Sequence, residues 1–158
     1  MNRLFLVGLL LLVVTEVLAS SCPAGYYRRP GGNCYKLWTQ KRKWGEANVI
    51  CRTENSWLVT LNNEVESDWV NNFFISNRRH ECNKWYWIGL NDISNEDVWT
   101  WISDNSPLHY SNWKNNEPNN SGNEDSVEVD CENRQWNDED SWGNEECFIC
   151  EMDTEATC

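Results

Sequence analysis

Eight cysteines constrain this chain more than any other feature, because all of them lie after residue 21, behind an apolar leader. Arg3 supplies a short positive start, and Leu4 to Val14 is an unbroken apolar or glycine run of eleven residues. Val17 and Ala19 then hold the small-residue positions of a cleavage site. This pattern reads as an export signal over residues 1–19, and the run is too short to span a bilayer. A buried N-terminal helix is the rival reading of the same segment. Export makes the expected location secreted and extracellular, where paired thiols persist as disulfides. An even number of cysteines permits a complete framework without fixing its connectivity. Cys147 and Cys150 form a C-x-x-C, but no second such pair, His cluster or βαβ pattern accompanies it. Zinc and thioredoxin-like chemistry are therefore set aside.

At 158 residues the chain fits one domain. No Pro-rich or Gly/Ser-rich linker and no internal repeat divides it. The expected organisation is a leader over 1–19, a domain over 20–151, and a short acidic tail over 152–158 ending in Cys158. Eleven tryptophans make a packed core plausible despite a mean hydropathy of -0.71, and they argue against disorder. The formal charge of -12 is unevenly placed. Residues 1–91 carry eleven basic and seven acidic groups, whereas residues 92–158 carry two basic and eighteen acidic groups. A chain so acidic excludes nucleic acid as a partner, since phosphate binding needs a basic surface. An acidic stretch is by default a solvated face; it becomes a hard-cation site only where spacing gathers oxygen ligands.

The segment Cys22–Tyr35, with Gly-Gly and two cysteines, predicts a short hairpin closed by a disulfide. Thr39 is placed to cap a helix running through Arg52, with Trp44, Ala47, Ile50 and Cys51 on one side. A second helix is expected from Asn63, with Glu66 completing a capping box and Val65, Trp69, Val70 and Phe73 following. Trp85–Leu90 reads as a buried strand. Residues 91–124 are rich in Asn, Asp, Ser, Gly and Pro, and a loop of that length is usually functional or disordered. Val127–Val129, Gln135–Asn137 and Phe148–Cys150 read as short strands. Helices followed by strands point to α+β rather than a βαβ series.

Inside the long loop stands Glu117-Pro118-Asn119. Glu124 and Asp125 close the loop, and Trp136-Asn137-Asp138 follows on a strand. Each segment offers carboxylate or amide oxygens, which Ca²⁺ takes in groups of about 6–8. An X-Pro bond is cis at modest cost, and a cis turn here would aim both flanking side-chain oxygens at one point. An ion held by a loop and a strand keeps open positions that two adjacent sugar hydroxyls would fill. Trp87, Trp99, Trp101 and Trp113 are read as core, and Trp142, just beyond this strand, as a surface residue. His80 and His109 are read as structural or exposed. With two separated His, no H-E-x-x-H and no G-x-S-x-G, hydrolase chemistry is not expected. Glu124 and Asp125 could imitate a glycosidase pair, but adjacent carboxylates engaged by metal make poor general acids.

Across Cys22–Glu151 the chain resembles the C-type lectin family, specifically its mannose-type members. The resemblance rests on Trp87-Ile88-Gly89-Leu90, Ser111-Asn112-Trp113, Glu117-Pro118-Asn119, Glu124-Asp125, Trp136-Asn137-Asp138 and Phe148-Ile149-Cys150-Glu151, taken in order. It implies a double-loop α+β domain with two helices and two small antiparallel sheets, stapled by disulfides. It also implies a sugar-site Ca²⁺ held by Glu117, Asn119, Glu124, Asn137 and Asp138. The first four would also hydrogen-bond the sugar, amides donating and carboxylates accepting. A second Ca²⁺ would take Asp92, Glu96, Asn120, Glu124 and Asp125. In this family the Glu-Pro-Asn order goes with mannose, glucose, N-acetylglucosamine and fucose, and the reversed Gln-Pro-Asp order with galactose. The resemblance thus implies a non-enzymatic, Ca²⁺-dependent lectin for mannose-like sugars on microbial or cell surfaces, in innate immune recognition. Two rivals are an acidic matrix protein that organises calcium mineral, and a protein-binding module that keeps the fold without sugar binding.

The family's pairings correspond to Cys22–Cys34 and Cys51–Cys150. A further family bridge falls on Ser126 and Ser141, so it is absent here. For the remaining cysteines two readings stay open, Cys131–Cys147 or Cys82–Cys131, and in both the leftover pair includes Cys158. A Cys158 in the acidic tail suits an interchain bridge and a disulfide-linked homo-oligomer; the rival is an intrachain staple to the tail. The one N-x-S/T sequon begins at Asn119 itself. Because a glycan there would remove a metal ligand, Asn119 is expected to stay unmodified.

Overall fold

The computed structural model of the protein describes residues 22–154, except 79 and 83. The leader and most of the acidic tail, with Cys158, lie outside the described residues. Within them, alternation along the strands sorts side chains to the two faces of a sheet. In β4 (Trp85–Asn91), Tyr86, Ile88 and Leu90 enter one buried cluster, while Trp87 enters a second. In β6 (Ser126–Asp130), Val127 and Val129 join the first cluster, and Ser126, Glu128 and Asp130 alternate with them. The other strands are β1 (Tyr27–Arg28), β2 (Cys34–Arg42), β3 (Trp57–Leu58), β5 (Thr100–Trp101), β7 (Trp136–Glu139) and β8 (Glu146–Met152). They form one sheet in the order β1-β2-β8-β4-β6-β7, with β3 beside β8 and β5 beside β4. Every pairing is antiparallel except β4 with β8, where Tyr86 sits opposite Cys147 and Trp87 opposite Phe148. That parallel contact joins two antiparallel groups into a single mixed sheet.

Helix α1 (Trp44–Thr53) buries Trp44, Ala47 and Cys51 against the second cluster, and the Trp44 indole donates to Ile88 O at 2.8 Å. It starts five residues later than the expected cap at Thr39. Residues 39–42 instead extend β2, whose ladder with β8 runs from Cys34↔Met152 to Arg42↔Glu146. Pairing with a central strand outweighs the capping preference of a β-branched residue. The second cap is where the sequence puts it: Asn63 Oδ1 accepts from Glu66 N at 2.9 Å at the head of α2 (Glu64–Val70). The capping box is only half closed. Glu66 is buried, and its carboxylate accepts from Asn62 N at 3.0 Å and from the Tyr35 hydroxyl at 2.7 Å, not from Asn63 N. The helix continues through a π turn, Asn71–Ile75, into α3 (Ser76–Arg78).

Close approach fixes one glycine of the Trp-Ile-Gly-Leu segment. A Cβ on Gly89 would lie 2.5 Å from the Leu58 carbonyl oxygen, so the contact of β4 with β3 admits no side chain there. Trp87, Trp101, Trp136, Tyr35, Tyr86 and Phe148 are fully buried, each contributing roughly 2–3 kcal/mol of transfer energy.

Three disulfides staple this frame. Cys22–Cys34 and Cys51–Cys150 are the expected pairs. The third corrects both alternatives for the remaining cysteines: it joins Cys82 to Cys147, and Cys131 is a buried free thiol. The parallel register is the reason. It sets Cys147 on β8 opposite Tyr86, close to the loop that carries Cys82 into β4. Cys131 lies across the other edge of β4, its N–H donating to Lys84 O.

Candidate calcium and sugar site

The long loop folds by local hydrogen bonds on an aromatic floor. Asn105, Asn116, Asn120 and Asn123 all have positive φ (60°, 70°, 48° and 76°), which accounts for the asparagine-rich composition, since Asn tolerates the left-handed region. Beneath them, Trp136 is packed edge-on by Trp101, Tyr110 and Trp113 at 6.2, 5.7 and 5.7 Å. Lys114 N donates to Trp136 O, and Trp136 N to Asn112 O, so the loop is sewn directly to β7. Trp87 and Trp101 are core as expected, and Trp99 and Trp113 pack half-buried against it. Trp142 is 66% exposed, with its ring lying over Gly45 at the start of α1. His80 and His109 are exposed.

Around the Glu117–Pro118 bond, which is cis, the predicted donors gather. The Asn119 amide donates to the Glu117 carboxylate. Asp138, fully buried on β7, accepts Asn119 N at 2.9 Å and Asn120 N at 2.7 Å on Oδ2. Glu124 Oε2 accepts from Ser121 N at 2.8 Å, and its own N–H donates to Asn120 Oδ1 at 2.8 Å. Asn137 Nδ2 donates to Asp138 O at 2.8 Å and to Glu128 Oε1 at 3.2 Å. Both Asn137 amide hydrogens are thus engaged, and Oδ1 is the atom that remains for an ion. The structure therefore brings Glu117, Asn119, Glu124 and Asp138 around one short loop segment, with Asn137 adjacent.

The second predicted set meets the first at Asn120, whose Nδ2 donates to Glu96 Oε1 at 2.8 Å. Asp92 N donates to Asp125 O at 3.2 Å, and Asp92 Oδ2 accepts Asp97 N at 2.9 Å. Asp92 is 2% exposed, yet its Oδ1 is buried without a partner. An orphaned, buried carboxylate oxygen is costly unless a cation, a proton or a water meets it.

Charge crowding has the same sense. Burial raises Asp92 above the usual carboxylate range, and the neighbouring Glu96 and Asp125 push it further. Burial likewise raises Glu124, with Asp138, Glu139 and Glu117 adding to it. Among the described residues, no three Asp, Glu, His or Cys side chains converge closely enough to hold a metal by themselves. Backbone and Asn amides occupy the carboxylates instead. The all-oxygen donor set, the orphaned Asp92 oxygen and the like-charge crowding all fit a hard cation such as Ca²⁺.

Sequence reasoning missed Glu128. It sits opposite Asn137 in the β6–β7 ladder, is 2% exposed, and leaves Oε2 buried without a partner. Burial, with Glu139 and Glu146 nearby, pushes its carboxyl up to about 9. The available signal was the alternation in Ser126-Val127-Glu128-Val129-Asp130, which sets Glu128 on the Asn137 side of the strand.

The architecture is therefore a mixed α+β domain, disulfide-stapled, with a long oxygen-lined loop beside an edge strand. The profile described as Lectin C-type domain matches residues 40–152, and the chain belongs to that family. It is 33% identical over 147 residues to a perlucin-like protein of Mytilus galloprovincialis, covering 87% of this chain and 92% of that one. Its fold matches the mouse scavenger receptor C-type lectin carbohydrate-recognition domain with a TM-score of 0.72 at 31% identity, covering 87% of this chain and all of that one. It also matches the cow carbohydrate-recognition domain of CD23, solved in the presence of a GlcNAc2Man3 oligosaccharide, with a TM-score of 0.74 at 28% identity, covering 88% and 99%.

Proposed function

We propose that this protein is a secreted, Ca²⁺-dependent lectin that binds mannose-like sugars on microbial or cell surfaces and serves innate immune recognition. The observation that carries the reading is the meeting of Glu117, Asn119, Glu124 and Asp138 at one loop segment beside Asn137, in a chain of the C-type lectin family. Glu117, Asn119, Glu124, Asn137 and Asp138 would hold the sugar-site ion; Asp92, Glu96, Asn120, Glu124 and Asp125 would hold the second. Bound Ca²⁺ supplies open coordination positions for two neighbouring hydroxyls. The chain's own part is hydrogen bonding: Glu117 and Glu124 accept from the hydroxyls and Asn119 donates. Asn137 donates only by releasing Glu128 or the Asp138 carbonyl. No bond of the ligand is broken, so the protein is a binder and not an enzyme.

Passage of the mature protein over mannose-agarose in millimolar Ca²⁺, followed by EDTA, tests this. The expected result is retention with EDTA release, and loss of retention in Asp138→Ala. Flow-through with measurable Ca²⁺ binding would turn the reading to galactose-type sugars, then to mineral or protein ligands. Flow-through without Ca²⁺ binding would refute the ligand set.

A further inference from the structure

We propose that Arg134 is a positioning residue for the sugar-site ion. Its guanidinium clasps α2, and so holds the β6–β7 turn and the loop around Glu117–Pro118 in the shape that binds. The inference rests on the sugar-site reading above. Backbone conformation singles the residue out. Among the described residues, seven non-glycine residues have positive φ, and six of them are Asn or Asp. The seventh is Arg134, at 68°. Asn and Asp tolerate the left-handed region through a short polar side chain, and Arg has no such advantage there. An unfavourable backbone at such a residue points to a use for its side chain.

That side chain is engaged on two prongs. One guanidinium nitrogen donates to the Asp68 carboxylate of α2, and the other donates to Asn72 Oδ1 in the π turn at 3.0 Å. The anchor is firm. Val70, Phe74 and Ile75 of the same helical run are buried, and Asn71 Oδ1 accepts from the Tyr86 hydroxyl of β4 at 3.3 Å. The clasp is not what closes the turn. Arg134 N donates to Asp130 O at 2.8 Å, Asp130 N donates to Gln135 O at 2.9 Å, and Asp130 Oδ1 accepts Glu132 N at 2.7 Å. The guanidinium adds a tie between a turn that is already closed and the helix beside it.

From the turn, four hydrogen bonds reach the site. Arg134 O accepts Asn112 Nδ2 at 2.9 Å, and Asn112 O accepts Trp136 N at 2.9 Å. Trp136 O accepts Lys114 N at 2.9 Å, and Lys114 O accepts Glu117 N at 3.0 Å. Asn137 and Asp138 follow Trp136 directly on β7. One side chain is thereby linked to the loop half and the strand half of the proposed ligand set.

Energetics separate this role from ordinary stabilisation. The Arg134 and Asp68 side chains are 37% and 49% exposed, and exposed pairs contribute little to global stability. A loop already held in its bound shape spares the ion the cost of ordering it. Loss of the clasp therefore shows as weaker binding rather than as unfolding.

Arg134→Asn tests this, because Asn suits the left-handed turn and is too short to reach α2. Ca²⁺ titration of the mature protein, followed by tryptophan fluorescence, is read beside amide exchange and thermal unfolding in EDTA. The expected result is Ca²⁺ affinity about tenfold weaker, with an unchanged unfolding midpoint. Exchange across residues 112–117 should quicken before any metal is added. Asp68→Ala, on the exposed side of the clasp, should reproduce both effects without touching the turn, and adding it to Arg134→Asn should weaken binding no further. Unmoved exchange and affinity in both variants would overturn the proposal. So would an affinity loss matched by a fall in the unfolding midpoint, which is what a merely structural residue would give. A wild type that binds no Ca²⁺ would overturn the sugar-site reading and the positioning role together; a wild type that binds, with variants that bind equally well, would overturn the positioning role alone.

Discussion

The two ends of this sheet are held by different means. Around β1, β2, β8 and α1 the frame is covalent, with Cys22–Cys34, Cys51–Cys150 and Cys82–Cys147 tying strands to helices and loops. Around β6, β7 and the long loop there is no bridge among the described residues. Where the family resemblance places one, the Ser126 and Ser141 hydroxyls meet at 2.5 Å in a fully buried contact. The loop is held by Asp138 and by asparagine turns, while its carboxylates crowd one another. Fold and site are thus held separately here: covalent links tie one end together, and hydrogen bonds among crowded carboxylates and amides tie the other.

The largest test breaks the covalent end. Replacing Cys51 and Cys150 together with Ala removes a link across 99 residues, worth about 4–5 kcal/mol in the chain-entropy account. Denaturant unfolding should show that loss; an unchanged midpoint would mean the staples are redundant.

Next comes pH, which should act on the two ends with opposite sign. Glu151 is 3% exposed in the stapled end, and burial pushes its carboxyl up to about 7 from 4.5, despite the Thr60 N–H that it accepts. A raised folded pKa means stabilisation that is complete below about 4.5 and lost as pH climbs through 7, about 3 kcal/mol in all. In EDTA the wild type should therefore lose more stability between pH 5 and 7.5 than Glu151→Gln does. Acid should instead disarm the site, because Glu124, raised by burial, protonates at a higher pH than an ordinary carboxylate. Mannose retention that persists at pH 4.5 would contradict this.

A smaller effect converts the open end into the closed kind. Ser126→Cys with Ser141→Cys closes a 15-residue separation and should add about 1–3 kcal/mol, while slowing amide exchange in the loop without Ca²⁺. The smallest is Ser126→Ala, about 1 kcal/mol, from the orphaned Ser141 hydroxyl. Its exchange signature should stay within β6, β7 and the loop; spread into β2 or β8 would erase the distinction between the ends.

Legibility in the sequence followed the same division. The α+β class, Trp85–Leu90 as a strand and the Asn63 cap were readable because period and capping are local. Thr39 misled because its cap competes with a ladder to β8, a strand more than a hundred residues away. The Cys82–Cys147 bridge was illegible for a related reason: it depends on the parallel β4–β8 register, which no local pattern encodes. At the site, the residues that gather in the loop could be named from their order. The buried oxygens on Asp92 and Glu128 could not, since orphaning is a property of packing.

One ladder has a consequence for how such a domain travels between proteins. Cys22 is bridged to Cys34, and Cys34 pairs with Met152, so the two ends of the described domain emerge side by side. A unit whose ends meet can be spliced into a loop of a host chain, strung in tandem, or circularly permuted, with its sheet left whole. Joining residues 22 and 152 by a short linker and opening the chain at the exposed turn around Gly122 should give a folded permutant, and the cut would fall in the non-covalent end.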